Sequence, residues 1–375
     1  MASHIFLFKM PQLAICEGIP KRKKIPGLSD FVMTFFERLS NNIATLTYQD
    51  TNEKTSDTPI YNHFYDISSR ISDKVTFITP GRFLFNAGKT PKDWNKKMLN
   101  DKHFKVIWYE SNSTNVFPNV DIKGGVAVTF RDASEDFGVI GDFSPHQEVV
   151  SILKKVKSKK FESLSQLVYA PESYRLSKKL HLENEGVKGR LSKGHAYDLT
   201  TNILKKLDDL FYENKPNDEN GYIQILGRLN NKRVYKWIRR DYVDPHDNLD
   251  SFKVILPKSN GTGSLGEKLS SPLTANPKVG HNQTFISIGS FSTEREAENL
   301  LKYIKSKFLR LLLGTLKVTQ DNKRAVWKNI PIQDFTANSD IDWSKSIPEI
   351  DQQLYKKYDL TAGEIEFIGK MIKPM

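Results

Sequence analysis

The sequence predicts an α/β layer followed by an α+β domain, and three observations predict it. Between residues 59 and 132, helical and strand patterns alternate, which is the order a layered α/β fold requires. From Ser163 the texture changes to short strands between polar loops. A long amphipathic run, residues 294–313, then places Ala297, Leu300, Leu301, Ile304, Phe308 and Leu312 at helical spacing.

Taken in order, Pro59 can open a helix whose apolar positions are Ile60, Phe64, Ile67 and Ile71. Residues 75–78 read as a short buried strand. Pro91 starts a second helix with Trp94, Met98 and Leu99, residues 106–109 form another strand, and Gly124-Gly125 turns into a third at 126–130. Residues 133–160 read as a linker, acidic first and then rich in lysine from Lys154 to Lys160. Strands are expected at 222–226, 251–256 and 284–288. Two short helices end the chain, the second opened by a capping box of Thr361 and Glu364. The domains are therefore set at 1–40, 41–135, a linker at 136–160, 161–335, and a helical tail at 336–375.

Composition narrows the class. The 375 residues hold 56 Lys+Arg against 44 Asp+Glu, a formal charge of +12. A surplus of that sign favours a polyanion, because basic side chains release counterions from phosphates. Cys16 stands alone, so no internal disulfide and no multi-cysteine zinc site can form, which fits a reducing cytoplasm. No apolar run approaches the ~18 residues of a membrane span, and the N-terminus lacks the basic start of a signal peptide.

Motifs divide into weak and informative. Gly261-Thr262-Gly263-Ser264-Leu265-Gly266 spells a GxGxxG string, but Pro257 breaks the strand before it and no long helix follows. It reads as a flexible loop, with Lys258, Asn260, Thr262 and Lys268 placed to lie along a nucleic-acid backbone. Asp121-Ile122-Lys123 holds a D-x-K string of the kind metal-dependent nucleases use, too short to be specific. The cluster Lys21-Arg22-Lys23-Lys24 reads as a solvated surface or a phosphate contact. The mix Arg228, Lys232, Arg233, Tyr235, Lys236, Trp237, Arg239 and Arg240 is denser: six cations and two aromatics within 13 residues. Arg reads guanine edges and Lys grips phosphate, whereas the bland alternative is a strand with Val234, Trp237 and Ile238 turned to the core.

Residues 56–132 resemble the later half of the catalytic domain of adenine-specific DNA methyltransferases of type II restriction–modification systems. The matching text is Ser56-Asp57-Thr58-Pro59-Ile60-Tyr61-Asn62-His63-Phe64, Ile78-Thr79-Pro80-Gly81-Arg82-Phe83-Leu84, Ala87-Gly88-Lys89-Thr90-Pro91-Lys92 and Val116-Phe117-Pro118-Asn119-Val120-Asp121-Ile122-Lys123-Gly124-Gly125. Further strings, at 280–285, 316–323 and 349–358, extend the likeness over roughly 42–375. The resemblance implies an incomplete Rossmann-like methyltransferase layer at 41–135 and an α+β target-recognition domain at 161–335. It implies S-adenosylmethionine as methyl donor, double-stranded DNA as partner, and Arg82 among the DNA-contacting residues.

The family's catalytic motif is Asn-Pro-Pro-Tyr, whose Tyr stacks on a flipped adenine. Here the aligned text is Thr45-Leu46-Thr47-Tyr48. Tyr48 matches the stacking ring, while Thr45 stands in place of the Asn and both prolines are gone. Only 44 residues precede Thr45, where one βαβ unit takes about 30. The expectation is a DNA-recognition chain, catalytically defective alone, that does not take up S-adenosylmethionine by itself. The alternatives are an active enzyme completed by a second chain carrying the cofactor half, a homodimer, or a restriction nuclease subunit.

Overall fold

The computed structural model describes residues 47–48, 58–118 and 120–375, in two compact units, Met1–His146 and Gln147–Met375. Both mix helices with strands. Among the described residues no helix is long and apolar enough to cross a membrane.

In the first unit, β1 (Thr47–Tyr48) pairs antiparallel with β2 (Thr58–Pro59). Then come α1 (Tyr61–Ile71), β3 (Lys74–Pro80), α2 (Lys92–Asn100), β4 (Phe104–Glu110) and β5 (Val126–Asp132). The sheet order is β3-β5-β4, with β5 antiparallel to both neighbours. β3 and β4 therefore run parallel to each other, with α2 as the crossover that a parallel pair needs. Residues 74–80 and 126–132 pair without a break, whereas β4 shifts register between Val106 and Trp108.

Helix α1 forms where Pro59 leads the sequence to expect it, but its buried face is the other one. Tyr61, Asn62, Tyr65 and Ser68 are buried, while Ile67 and Ile71 are 54% and 63% exposed. Aromatic packing decides this. The Tyr65 ring meets Phe77, Phe83, Trp94 and Phe104 at centroid distances of 4.3–6.1 Å. Its hydroxyl lies 2.5 Å from Thr129 Oγ1 and 3.3 Å from Thr79 Oγ1, so the large ring is buried without an unpaired polar atom.

The second unit is built on two sheets. One has the order β10-β9-β12-β6 and the other β11-β7-β8. The strands are β6 (Val168–Tyr169), β7 (Tyr222–Leu229), β8 (Lys232–Arg239), β9 (Phe252–Pro257), β10 (Leu273–Ala275), β11 (Val279–His281) and β12 (Phe285–Phe291). Helix α3 (Gln147–Ser158) opens the unit. Short helices α4 (Lys178–Glu183), α5 (Val187–Arg190) and α6 (Ile203–Lys206) cover β7 and β8. Four more complete the larger core: α7 (Glu294–Lys305), α8 (Lys307–Gly314), α9 (Ile347–Lys357) and α10 (Ala362–Met371).

Three features here differ from the sequence reading. The lysine-rich end of the expected linker is α3, because Val149, Ile152, Leu153 and Val156 recur every three or four residues and enter the core. The expected single helix at 294–313 breaks at Ser306 into α7 and α8. Ser306 turns out to β-like dihedrals and caps α8 through Leu309 N, and the Asp351 carboxylate takes the N–H groups of Lys307 and Phe308. The helical tail is not an appendage: Ile350, Leu354, Tyr355 and Ile368 sit in the same core as α3.

A buried polar chain ties β11 to β12. The Tyr174 hydroxyl donates to Asn248 Oδ1 (2.7 Å), Asn248 Nδ2 to Ser287 Oγ (3.0 Å), and Ser287 lies 3.2 Å from His281 Nε2. His281 Nδ1 stands 3.0 Å from the Asn282 carbonyl, so that nitrogen carries the proton. Burial pushes the imidazole down from 6.5 to about 3. An unfolded histidine takes up its proton near pH 6.5 and the folded one resists. Stability is therefore complete above that pH and falls as pH drops from about 6.5 toward 3, by about 1.4 kcal/mol per unit. Denaturation at pH 7, 6 and 5 is expected to show this slope in the native chain and not in His281→Gln. Equal slopes would remove His281 as its source.

Candidate functional site

The β7–β8 hairpin carries the basic and aromatic run. Its turn is Asn230-Asn231, with φ of 46° and 62°, the conformation that a two-residue type I′ turn demands at both central positions. The register pairs Tyr222 with Arg239, Gln224 with Trp237, Leu226 with Tyr235 and Arg228 with Arg233. Those eight residues share one face. Ile223, Ile225, Val234 and Ile238 lie on the other, against the core under α4–α6. Trp237 is thus not a core residue of that side, and the strand sorts Lys232 and Lys236 away from Arg228, Arg233 and Arg239.

Several of these cations are spent inside the protein. Lys236 is 8% exposed and bonded to the Glu213 carboxylate. Arg239 binds Glu183 at 2.9 Å and Asp241 at 2.7 Å, and stacks over the Tyr242 ring. Arg233 donates to the carbonyls of Ser271 (2.7 Å) and Ser270 (3.0 Å) and lies over the Phe285 ring. Of the acids that neutralise these cations, Asp241 is local to Arg239, whereas Glu183 and Glu213 lie 56 and 23 positions away and are not visible by sequence spacing. Arg228 and Lys232, by contrast, are exposed at the turn. Arg228 Nη2 donates to the Asn231 carbonyl at 3.1 Å, and among the described residues neither cation has an acidic partner.

The glycine string is a closed loop. The Glu267 carboxylate accepts from Thr262 N (2.8 Å) and Gly263 N (3.2 Å), and the buried Lys317 ammonium bonds to it from the other side. Backbone amides converging on an anion form the nest in which phosphates bind elsewhere. Here the anion is the protein's own side chain. Asn260, 8% exposed, donates to the Lys268 carbonyl and accepts from Asn322. The Asn260 side chain and the Thr262 N–H are thus engaged within the loop, while Thr262 itself is exposed. Lys258 is half-buried next to it, its backbone bonded to Thr284 and Asn322.

In the first unit, the carboxyl ends of β3 and β4 gather the loops 81–91 and 111–125, the end at which α/β sheets bind ligands. Arg82 lies there, half-buried, its stem filling the space above Gly124, where a Cβ would stand 2.3 Å from Arg82 Cγ. Its charge acts on the phenol of Tyr61. Asp121 and Lys123 form an exposed ion pair with each other at 2.6 Å, and among the described residues no group of three or more His, Cys, Asp or Glu could hold a metal. Tyr48 lies in β1, whereas Thr45, Leu46, Cys16 and the basic cluster 21–24 lie outside the described residues.

Residues 36–117 match the family described as Eco57I restriction-modification methylase, a segment that includes the Thr45–Tyr48 text, β3 and β4. No curated protein matches the chain. A solved structure described as the type IIG restriction endonuclease BpuSI is similar with a TM-score of 0.32 and 9% identity. The similarity covers 92% of this chain and 52% of that one, so this chain spans about half the length of that structure.

Proposed function

We propose, from the premise that residues 36–117 are a restriction-modification methylase segment, that this chain is a DNA-recognition component of such a system with little or no methyl transfer of its own. The observation that carries it is the exposed Arg228–Lys232 turn at the end of a preorganised hairpin, in a chain whose charge is +12. Phosphates are met by exposed cations, and Arg228 and Lys232, exposed and without an acid, stand on the two faces of the tip, while Arg233 is held by the Ser270 and Ser271 carbonyls.

The family chemistry is methyl transfer from S-adenosylmethionine, and adenine specificity is part of this proposal. Two glycine-bearing loops support the absence of a donor site of its own: Gly124 and Gly125 before β5 close over Arg82 and the Glu110 carbonyl, and the 261–266 loop closes over Glu267. Weak catalysis follows from the motif as well. Thr45 offers a shorter and differently shaped acceptor than an Asn amide, and Leu46-Thr47 lacks the turn that two prolines impose.

A second reading is favoured by the edge of the first unit. β3 has a strand partner on one side among the described residues, and α1 beside it exposes Ile67 and Ile71. A second chain completing that layer would supply the cofactor half. An assay of the chain alone tests the first reading, and transfer that appears only on adding a chain carrying the cofactor half would favour the second. The chain alone is expected to bind a mixed-sequence duplex and to leave tritiated methyl groups on S-adenosylmethionine. Steady transfer by the chain alone would overturn the catalytic half of the proposal, and failure to bind duplex at 50 mM salt would overturn the recognition half.

A further inference from the structure

We propose that Asn230 and Asn231 at the tip of the β7–β8 hairpin read a base edge, as specificity-determining residues of the DNA contact inferred above, on which this inference rests. Both are exposed, and among the described residues neither side-chain amide has a hydrogen-bond partner. An amide carries a donor and an acceptor side by side. That pair matches the N6 and N7 edge that adenine presents in the major groove, and the groove is wide enough for a two-stranded ribbon.

The surroundings hold this tip ready. β11 pairs with β7 only up to Leu226, so the last turn of the hairpin extends past its neighbouring strand. Gly227 lets the ribbon settle on Leu204, where a Cβ would stand 2.4 Å from Leu204 Cδ1. Arg233 ties the opposite face to Ser270 and Ser271, and Arg228 clamps the turn through the Asn231 carbonyl. The remaining N–H groups of Arg228 and the Lys232 ammonium flank the two amides, placed to hold phosphates on either side. Little conformational freedom is left to lose on binding.

The bland explanation of Asn-Asn is turn chemistry, since asparagine tolerates positive φ. Glycine tolerates it better, so Asn230→Gly/Asn231→Gly keeps the turn and deletes the amides. The test selects bound duplexes from a pool with twelve randomised base pairs, using the full chain and this double variant. The native chain is expected to enrich a pattern. The variant is expected to bind the unselected pool within about threefold of native and to lose about tenfold or more of the preference at one or two positions only. The same pattern at the same strength from the variant overturns the inference, as does an equal loss at every position. A native chain that binds duplex but enriches nothing overturns it while leaving DNA binding standing, and a native chain that binds no duplex overturns the recognition reading itself.

Discussion

Lys317→Met is expected to lower the stability of the second unit by about 3–5 kcal/mol, the largest effect of any single substitution argued for this chain. The Lys317 side chain is 3% exposed and its ammonium donates to the carbonyls of Asn260 (2.9 Å) and Thr319 (3.1 Å) and to the Glu267 carboxylate. Without it, those carbonyls lose a charged donor and Glu267, 19% exposed, loses its counter-charge. The loop 261–266 is wrapped around that carboxylate, with Gly263 at φ 91° packed where a Cβ would stand 2.2 Å from Thr319 N. Methionine fills the volume of the stem, so a cavity is not the cause of the loss. Glu267→Gln is expected to cost less, about 1–3 kcal/mol, since an amide oxygen still accepts from Thr262 and Gly263. The double variant should recover part of the Lys317→Met loss, because it removes the unpaired charge. Denaturant midpoints of the three full-length variants measure all of this, and a Lys317→Met change below 1 kcal/mol would show the pair to be dispensable.

That loop also shows what a sequence can and cannot say. Its glycines and its poor nucleotide-site context are legible, because Pro257 and Pro272 are local signals. Its occupant is not legible as such, since nothing local says that Glu267 folds back and that Lys317, fifty positions on, arrives beneath it. The same division holds elsewhere. Strands β3, β4, β5, β7, β9 and β12 follow from short apolar runs, and α10 from its capping box. The buried face of α1 does not, because four apolar residues at helical spacing outrank Tyr61 and Tyr65 by pattern and lose to them in the aromatic core. Helix α3 is hidden by its lysines, which lie on the solvent side of a regular apolar stripe. At the candidate interface, the cations are visible in the text. Their neutralisation depends partly on the distant acids Glu183 and Glu213, and the two exposed asparagines acquire meaning only once the hairpin places them at its tip.

The distinction between paired and unpaired cations sets the second large effect. If all of the +12 surplus met phosphates, affinity would fall by about 10⁶ or more between 50 and 200 mM salt. On the hairpin, Lys236 and Arg239 are held by acids and Arg233 by the Ser270 and Ser271 carbonyls, which leaves the exposed Arg228 and Lys232 for phosphate. Each phosphate contact adds about 0.9 to the slope of log affinity against log salt. Arg228→Gln/Lys232→Gln should therefore reduce the slope by about 2 and shrink the affinity loss over that salt range by about tenfold. Arg239→Gln should behave in the opposite way. It breaks contacts with Glu183, Asp241 and the Tyr242 ring, so it lowers stability and leaves the salt slope as it was. Fluorescence titrations with one duplex at four salt concentrations compare the variants directly. An unchanged slope in the Arg228/Lys232 variant would move the DNA contact off this hairpin. A reduced slope in Arg239→Gln would mean that its ion pairs open to meet the nucleic acid.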